Sequence, residues 1–240
     1  MKPAKIIMAG VALLSVNVVQ AQERQNAAEC ELHIWPSLEI DGVHMGALGL
    51  FGAIGAAADA SGRKSERASI ADLMLQGLPA DAQIEELERA DVASALGLTG
   101  YRIIAEPAVP SKASAKADPA LRQRREAIRA GLKTRNRLTS SAAPCYAELI
   151  GDRIFYVKTP LVSGTLNAGW TFRDFGRAAS AKPSISSGEV KNSLKAFPPK
   201  TPDDLAAAQA DLRAAYRADF AEWVTKKLRR SGVIEASTSR

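Results

Sequence analysis

Two histidines, two cysteines and one dense run of bases are the residues whose types and spacing could do chemistry in this chain. His44 stands in sequence among Glu39, Asp41 and Asp59. An imidazole close to carboxylates is what acid–base work in a hydrolase requires. His33 follows Cys30 by three positions, and a thiol beside an imidazole is the arrangement of a nucleophilic cysteine. Strand alternation, however, sends His33 to the face opposite Cys30 and leaves it exposed. With so few ligand-type side chains, a zinc cluster, an iron–sulfur centre or a multi-histidine metal enzyme has too few residues to build on. No nucleotide-binding or catalytic signature occurs, since Gly97–Gly100 precedes a strand rather than following one. We expect no cofactor.

The run of bases covers 111–140. Lys112, Lys116, Arg122, Arg124, Arg125, Arg129, Lys133, Arg135 and Arg137 stand there against Asp118 and Glu126, a larger excess than the whole chain's +6. Nucleic acid is the usual partner of such a run. Stacking aromatics are absent from it, which argues for another polyanion. An anionic envelope surface fits, with Arg122, Arg124, Arg125 and Arg129 as the contacting set. The alternative is a solvated insertion or linker, with a helix over Pro119–Leu132.

The compartment follows from the amino terminus. Lys2 and Lys5, then the apolar stretch Ile6–Val16, then small Val19 and Ala21 have the layout of a secretory signal peptide over 1–21. Cys30 follows Ala28 and Glu29, so the small residue and cysteine of a lipidation site are not at the cleavage point. Export to the periplasm or medium exposes thiols to oxidation. Cys30 and Cys145 open two similar runs, Cys30–Trp35 and Cys145–Ile150, and a bridge between two strand starts is expected. Two buried thiols are the alternative.

These residues need elements to hold them. Strands are predicted at Glu31–Trp35 and Tyr101–Ala105, and a meander at Tyr146–Ile150, Arg153–Val157 and Leu166–Phe172, with Gly151-Asp152 as a tight turn. Arg173 and Asp174 are expected to pair locally. Ser69 and Asp72 suggest a capping box opening a short helix through Leu75, and Pro79–Leu96 suits one helix or two. Ala178–Ser187 reads as a polar loop before an element at Val190–Phe197. Thr201-Pro202-Asp203-Asp204 starts a long helix whose stripe is Leu205, Ala208, Leu212, Tyr216, Phe220 and Trp223. Gly42, Gly46, Gly49, Ala53, Ala56 and Ala60 recur at helical spacing, a small-residue stripe suited to close packing or assembly. Glycine's cost inside a helix requires such a contact to offset it. The whole is an α/β (α+β) chain. One mixed sheet with an antiparallel meander is covered by helices, including a long C-terminal amphipathic one. It forms a single domain over 22–230, with a loose tail at 231–240. No membrane span is expected in the mature protein.

The segments CELHIWP (Cys30–Pro36), the small-residue run Gly46–Ala58, CYAEL (Cys145–Leu149), FRDFG (Phe172–Gly176) and FPP (Phe197–Pro199) resemble a group of uncharacterised periplasmic or secreted proteobacterial proteins. The layout is also similar to small α/β domains of the cell envelope, such as the amino-terminal domain of TolB and the curli-secretion lipoprotein. The resemblance implies export and supplies no activity. The leading expectation is a non-enzymatic cell-envelope binding or structural protein, whose partner is an envelope protein or an anionic envelope surface. A periplasmic hydrolase with a site near His44 is a second reading. The third is an oligomer-forming or membrane-associating module acting through 42–60.

Overall fold

The structure, a computed structural model, describes residues 30–44, 64–159, 162–176 and 183–229. The 1–21 signal segment, the stripe members Gly46, Gly49, Ala53, Ala56 and Ala60, and the 231–240 tail lie outside them.

Strands β1 (Glu31–Trp35), β2 (Ile40–His44), β3 (Arg102–Ala105), β4 (Tyr146–Thr159), β5 (Val162–Asp174) and β6 (Ser184–Ser193) form one mixed sheet. Its order is β3-β1-β4-β5-β6, with β2 also on β4. The β1, β2 and β3 pairings are parallel, and β4-β5-β6 is an antiparallel meander. Both β1 and β2 lie along one side of β4, β1 beside Tyr146–Ile150 and β2 beside Ile154–Lys158.

That arrangement corrects the hairpin predicted at Gly151-Asp152. β4 runs straight through those residues, and a register shift between Gly151 and Ile154 accommodates the chain passing from β1 to β2. Ser37 lies against Gly151 so closely that a Cβ there would stand 3.1 Å from the Ser37 nitrogen. The Ser37 hydroxyl donates to the Asp152 carbonyl at 2.8 Å, and the Ile154 N–H to the Glu39 carbonyl at 3.0 Å. Glycine and a bulge meet the needs of close backbone approach, which a local reading takes for a turn.

Gly42 is a strand residue of β2, opposite Tyr156, so a helical stripe does not begin there. Two further boundaries move. Helix α1 spans Lys64–Gly77, starting ahead of Ser69, and β6 already pairs with β5 at Ser184, inside the segment read as a loop. A serine-rich edge strand bordered by solvent has no apolar alternation to reveal it. Helices α2 (Ala80–Arg89) and α3 (Val92–Ala95) are separated by Asp91 in the left-handed region, φ 50°.

Helix α6 (Leu205–Trp223) follows the turn Pro202–Asp204 and continues as a wider-wound stretch to Arg229. At its start the Thr201 N–H and hydroxyl both donate to the Asp204 carboxylate, at 3.0 and 2.9 Å. Leu212, Tyr216, Phe220 and Trp223 are buried, and the Trp170 ring of β5 meets Tyr216, Phe220 and Trp223 at 5.3, 5.6 and 5.7 Å. With α1 and α2, α6 closes the main core over Leu32, Ile34, Leu149, Ile154 and Phe172. Buried Glu86 ties α2 to α6 through Arg217 at 2.5 Å.

The basic segment is a second layer. Helices α4 (Lys112–Ala117) and α5 (Pro119–Lys133) lie over the other sheet face, where Ile128 joins Trp35, Val109 and Ile150 in a smaller cluster. Ser111 and Asp118 cap the two helices through the Ser114 and Ala120 N–H groups. The few apolar residues of α5 are enough to seat it on the sheet, while most of its surface stays in solvent.

Candidate functional site

Cys30 and Cys145 are bonded, with Cα atoms 4.6 Å apart, at the heads of β1 and β4. The Glu31 N–H donates to the Cys145 carbonyl at 3.0 Å, so the bridge sits where the parallel pairing begins.

Behind it, on the sheet face covered by α5, lies a buried polar network. His33 Nδ1 is 2.7 Å from Glu106 Oε1 and Nε2 is 3.0 Å from Glu31 Oε2. Glu31 also receives Arg102 at 2.7 Å and the Ser141 hydroxyl at 2.5 Å. Burial alone would raise the Glu31 carboxyl, but the hydrogen bonds from Ser141, His33 and Arg102 outweigh it and hold the group down at about 2. His33 is 4% exposed, which corrects the expectation of an exposed ring. It does face away from Cys30, but residues folded over that face bury it. The ring also packs on Tyr146, centroids 4.7 Å apart. Both imidazole nitrogens are occupied by carboxylates, and the Ser141 hydroxyl bonds Glu31 rather than the ring. The arrangement therefore clamps β3 and the 137–146 segment to β1.

A second part of this layer is Arg173, which is fully buried and 3.0 Å from fully buried Glu148. Neighbours along a strand point to opposite faces, so Arg173 cannot share a face with Asp174; the predicted local pair does not form. Arg173 also donates to the Asn136 carbonyl at 2.5 Å, and the Leu138 N–H donates to Glu148 at 2.6 Å. Arg173 thus meets the C-terminal end of α5, where a cation is favoured. Burial pushes the Glu148 carboxyl above its ordinary range, against the Leu138 N–H and the Arg173 charge. Burial, then the Glu148 charge, raises the Tyr146 hydroxyl.

The predicted contact arginines separate. Arg125 turns inward to Glu39 at 2.7 Å and to the Pro110 carbonyl. Arg124 is half-buried, and its Nη2 has no hydrogen-bond partner among the described residues. Arg122 and Arg129 are exposed. With Lys112, Lys116 and Arg125 they wall a cleft of about 290 Å³ between α4 and α5, whose one acid is Glu126. Lys112, Lys116, Arg122 and Arg129 form no ion pair among the described residues. His44 ends β2 opposite Lys158; its side chain and all of Asp59 fall outside the described residues.

No protein-family model and no curated protein matches the chain. A distant match among solved structures is a "putative lipoprotein" from Caulobacter crescentus, 19% identical, covering 47% of this chain and 83% of that one, with a TM-score of 0.22. Superposition at that level does not establish a common fold, and no residue role is taken from it.

No helix among the described residues is long and apolar enough to cross a membrane. Nor do three or more His, Cys, Asp or Glu side chains among them gather as metal ligands. The buried network was missed by sequence reasoning because Glu106, Ser141, Glu148 and Arg173 are far apart along the chain. One signal was available. Tyr146, Glu148 and Ile150 alternate with Ala147 and Leu149, so β4 has two buried faces and a charge in the middle of one of them.

Proposed function

We propose that this is a non-enzymatic exported protein of the cell envelope that binds an anionic envelope surface through the α4–α5 pair. The observation supporting it is the shared cleft of Lys112, Lys116, Arg122, Arg125 and Arg129 facing solvent with a single acid. Of these five cations Arg125 alone is ion-paired among the described residues, which leaves four free to meet an anion. Held on a helix pair seated on the sheet, these charges present as a fixed patch rather than a mobile tail. Each base near an anionic bilayer contributes about 1 kcal/mol, so four free cations provide appreciable attraction.

The test is co-sedimentation of the mature protein with vesicles of phosphatidylglycerol against vesicles of phosphatidylcholine. Retention on the anionic vesicles should fall as salt is raised, because the patch is exposed and screened. Lys116→Glu with Arg122→Glu should abolish it. Equal retention on both vesicle types, or none on either, would refute the reading.

A further inference from the structure

A second cleft, of about 360 Å³, opens on the inner side of α5, between that helix and the bulge of β4. Its floor is apolar: Val109, Ile128, Leu132 and Ile150. Its rim carries Lys112, Arg125, Arg129 and Arg153. Of the two acids on that rim, Glu39 is ion-paired and Asp152 is hydrogen-bonded to a hydroxyl, against four cations. Glu39 accepts from the Lys112 N–H and from Arg125, both at 2.7 Å, and Asp152 accepts from the Thr171 hydroxyl at 3.1 and 3.2 Å. Arg153 stands over the Phe155 ring at 4.4 Å and reaches Glu189 only at 4.0 Å. The Lys112 ammonium and the Arg129 guanidinium have no partner among the described residues.

An apolar floor calls for a ligand with hydrocarbon, and unpaired cations at the rim call for an anionic head. The volume lies within the range of small-molecule sites. A guanidinium fork is suited to two oxygens of a phosphate or carboxylate. We infer that this cleft takes a single-chain amphipathic anion, its apolar body over Ile128, Leu132 and Ile150 and its phosphate or carboxylate at Lys112 and Arg129. The inference rests on the anion-binding reading above and shares Lys112, Arg125 and Arg129 with it, but Arg122 lines only the first cleft and Leu132 only the second, so the two can fail separately.

The test is calorimetric titration of the mature protein with dodecyl phosphate below its micelle concentration. Saturable one-to-one binding is expected. Inorganic phosphate and neutral dodecyl maltoside should show none, because each lacks half of the match. Arg129→Glu, a change at an exposed position, should weaken binding at least about tenfold, which is about 1.4 kcal/mol. Leu132→Trp, which fills the floor, should abolish it. Arg122→Glu lines only the neighbouring cleft and should leave dodecyl phosphate affinity within about twofold while reducing vesicle retention. Circular dichroism checks each variant, and Arg129→Glu suffices if Leu132→Trp does not fold. Absence of saturable binding, or equal affinity in wild type and Arg129→Glu, would overturn the assignment. Absence of vesicle retention by the wild-type protein, with its dodecyl phosphate binding intact, would remove the surface-binding reading and leave the cleft standing.

Discussion

Asp219 is fully buried where α6 crosses β6, with one oxygen accepting from Asn192 at 2.7 Å and the other without a hydrogen-bond partner. Burial, with the Glu222 charge added, pushes its carboxyl up to about 8 against the Asn192 hydrogen bond. Between the ordinary carboxylate range and that value, the native state holds a proton that the unfolded chain has released. Stability therefore falls as pH rises from about 4 towards 8. Asp219→Asn should flatten this slope. In calorimetric melts the variant should match wild type near pH 4 and exceed it at pH 8 by several degrees, and parallel curves would contradict the placement of the proton. Glu31 acts in the opposite sense. Its depressed carboxyl supports the fold above the ordinary carboxylate range, and that support is lost as pH falls towards about 2.

Among the elements, α2 holds the crossing between β1 and β2. Fully buried Gln83 accepts from the Ser37 N–H at 2.9 Å and donates to the Ser37 carbonyl at 2.8 Å and the Leu78 carbonyl at 3.2 Å. One amide side chain thus satisfies backbone groups that the interrupted pairing leaves open. Gln83→Leu keeps the volume and strands those groups. It should cost roughly 3 kcal/mol, since each unsatisfied buried polar group costs about 1–3 kcal/mol. Urea unfolding should show a lower midpoint at unchanged slope; a loss below about 1 kcal/mol would mean that water replaces the amide. Element types were legible where periodicity is strong. The α6 stripe and its Thr201 start, the helical content of Pro79–Leu96 and the β1 and β3 strands all show in local pattern; the break at Asp91 that divides 79–96 does not. The bulge in β4 was not legible, because Gly151 answers to Ser37, which lies far away in sequence. The serine-rich β6 was shifted for a related reason: its pairing with β5, rather than its own composition, makes it a strand.

At the scale of the whole molecule, the Cys30–Cys145 bridge joins residues 115 apart and closes most of the α1–α5 half of the chain into one loop. In the chain-entropy account such a loop is worth roughly 4–5 kcal/mol. The oxidised protein should contain no free thiol, and reduction should lower its melting temperature by roughly 10 °C, at about 2–4 °C per kcal/mol for a chain of this size. An unchanged melting temperature on reduction would show that the sheet pairing alone holds β1 to β4. Along the chain, alternation, helical spacing and charge count suffice for an α/β class, a C-terminal helix, an oxidisable cysteine pair and a basic segment, because each is a local property of side chains. Tertiary structure decides what those local properties become. It brings α5 and the 137–146 segment onto the second sheet face, where His33 is buried between two carboxylates, Arg125 turns inward and Arg122 and Arg129 stay outward. Burial and charge pairing depend on what covers a face, and the covering residues lie up to a hundred positions away, where no periodicity in the strand itself can specify them.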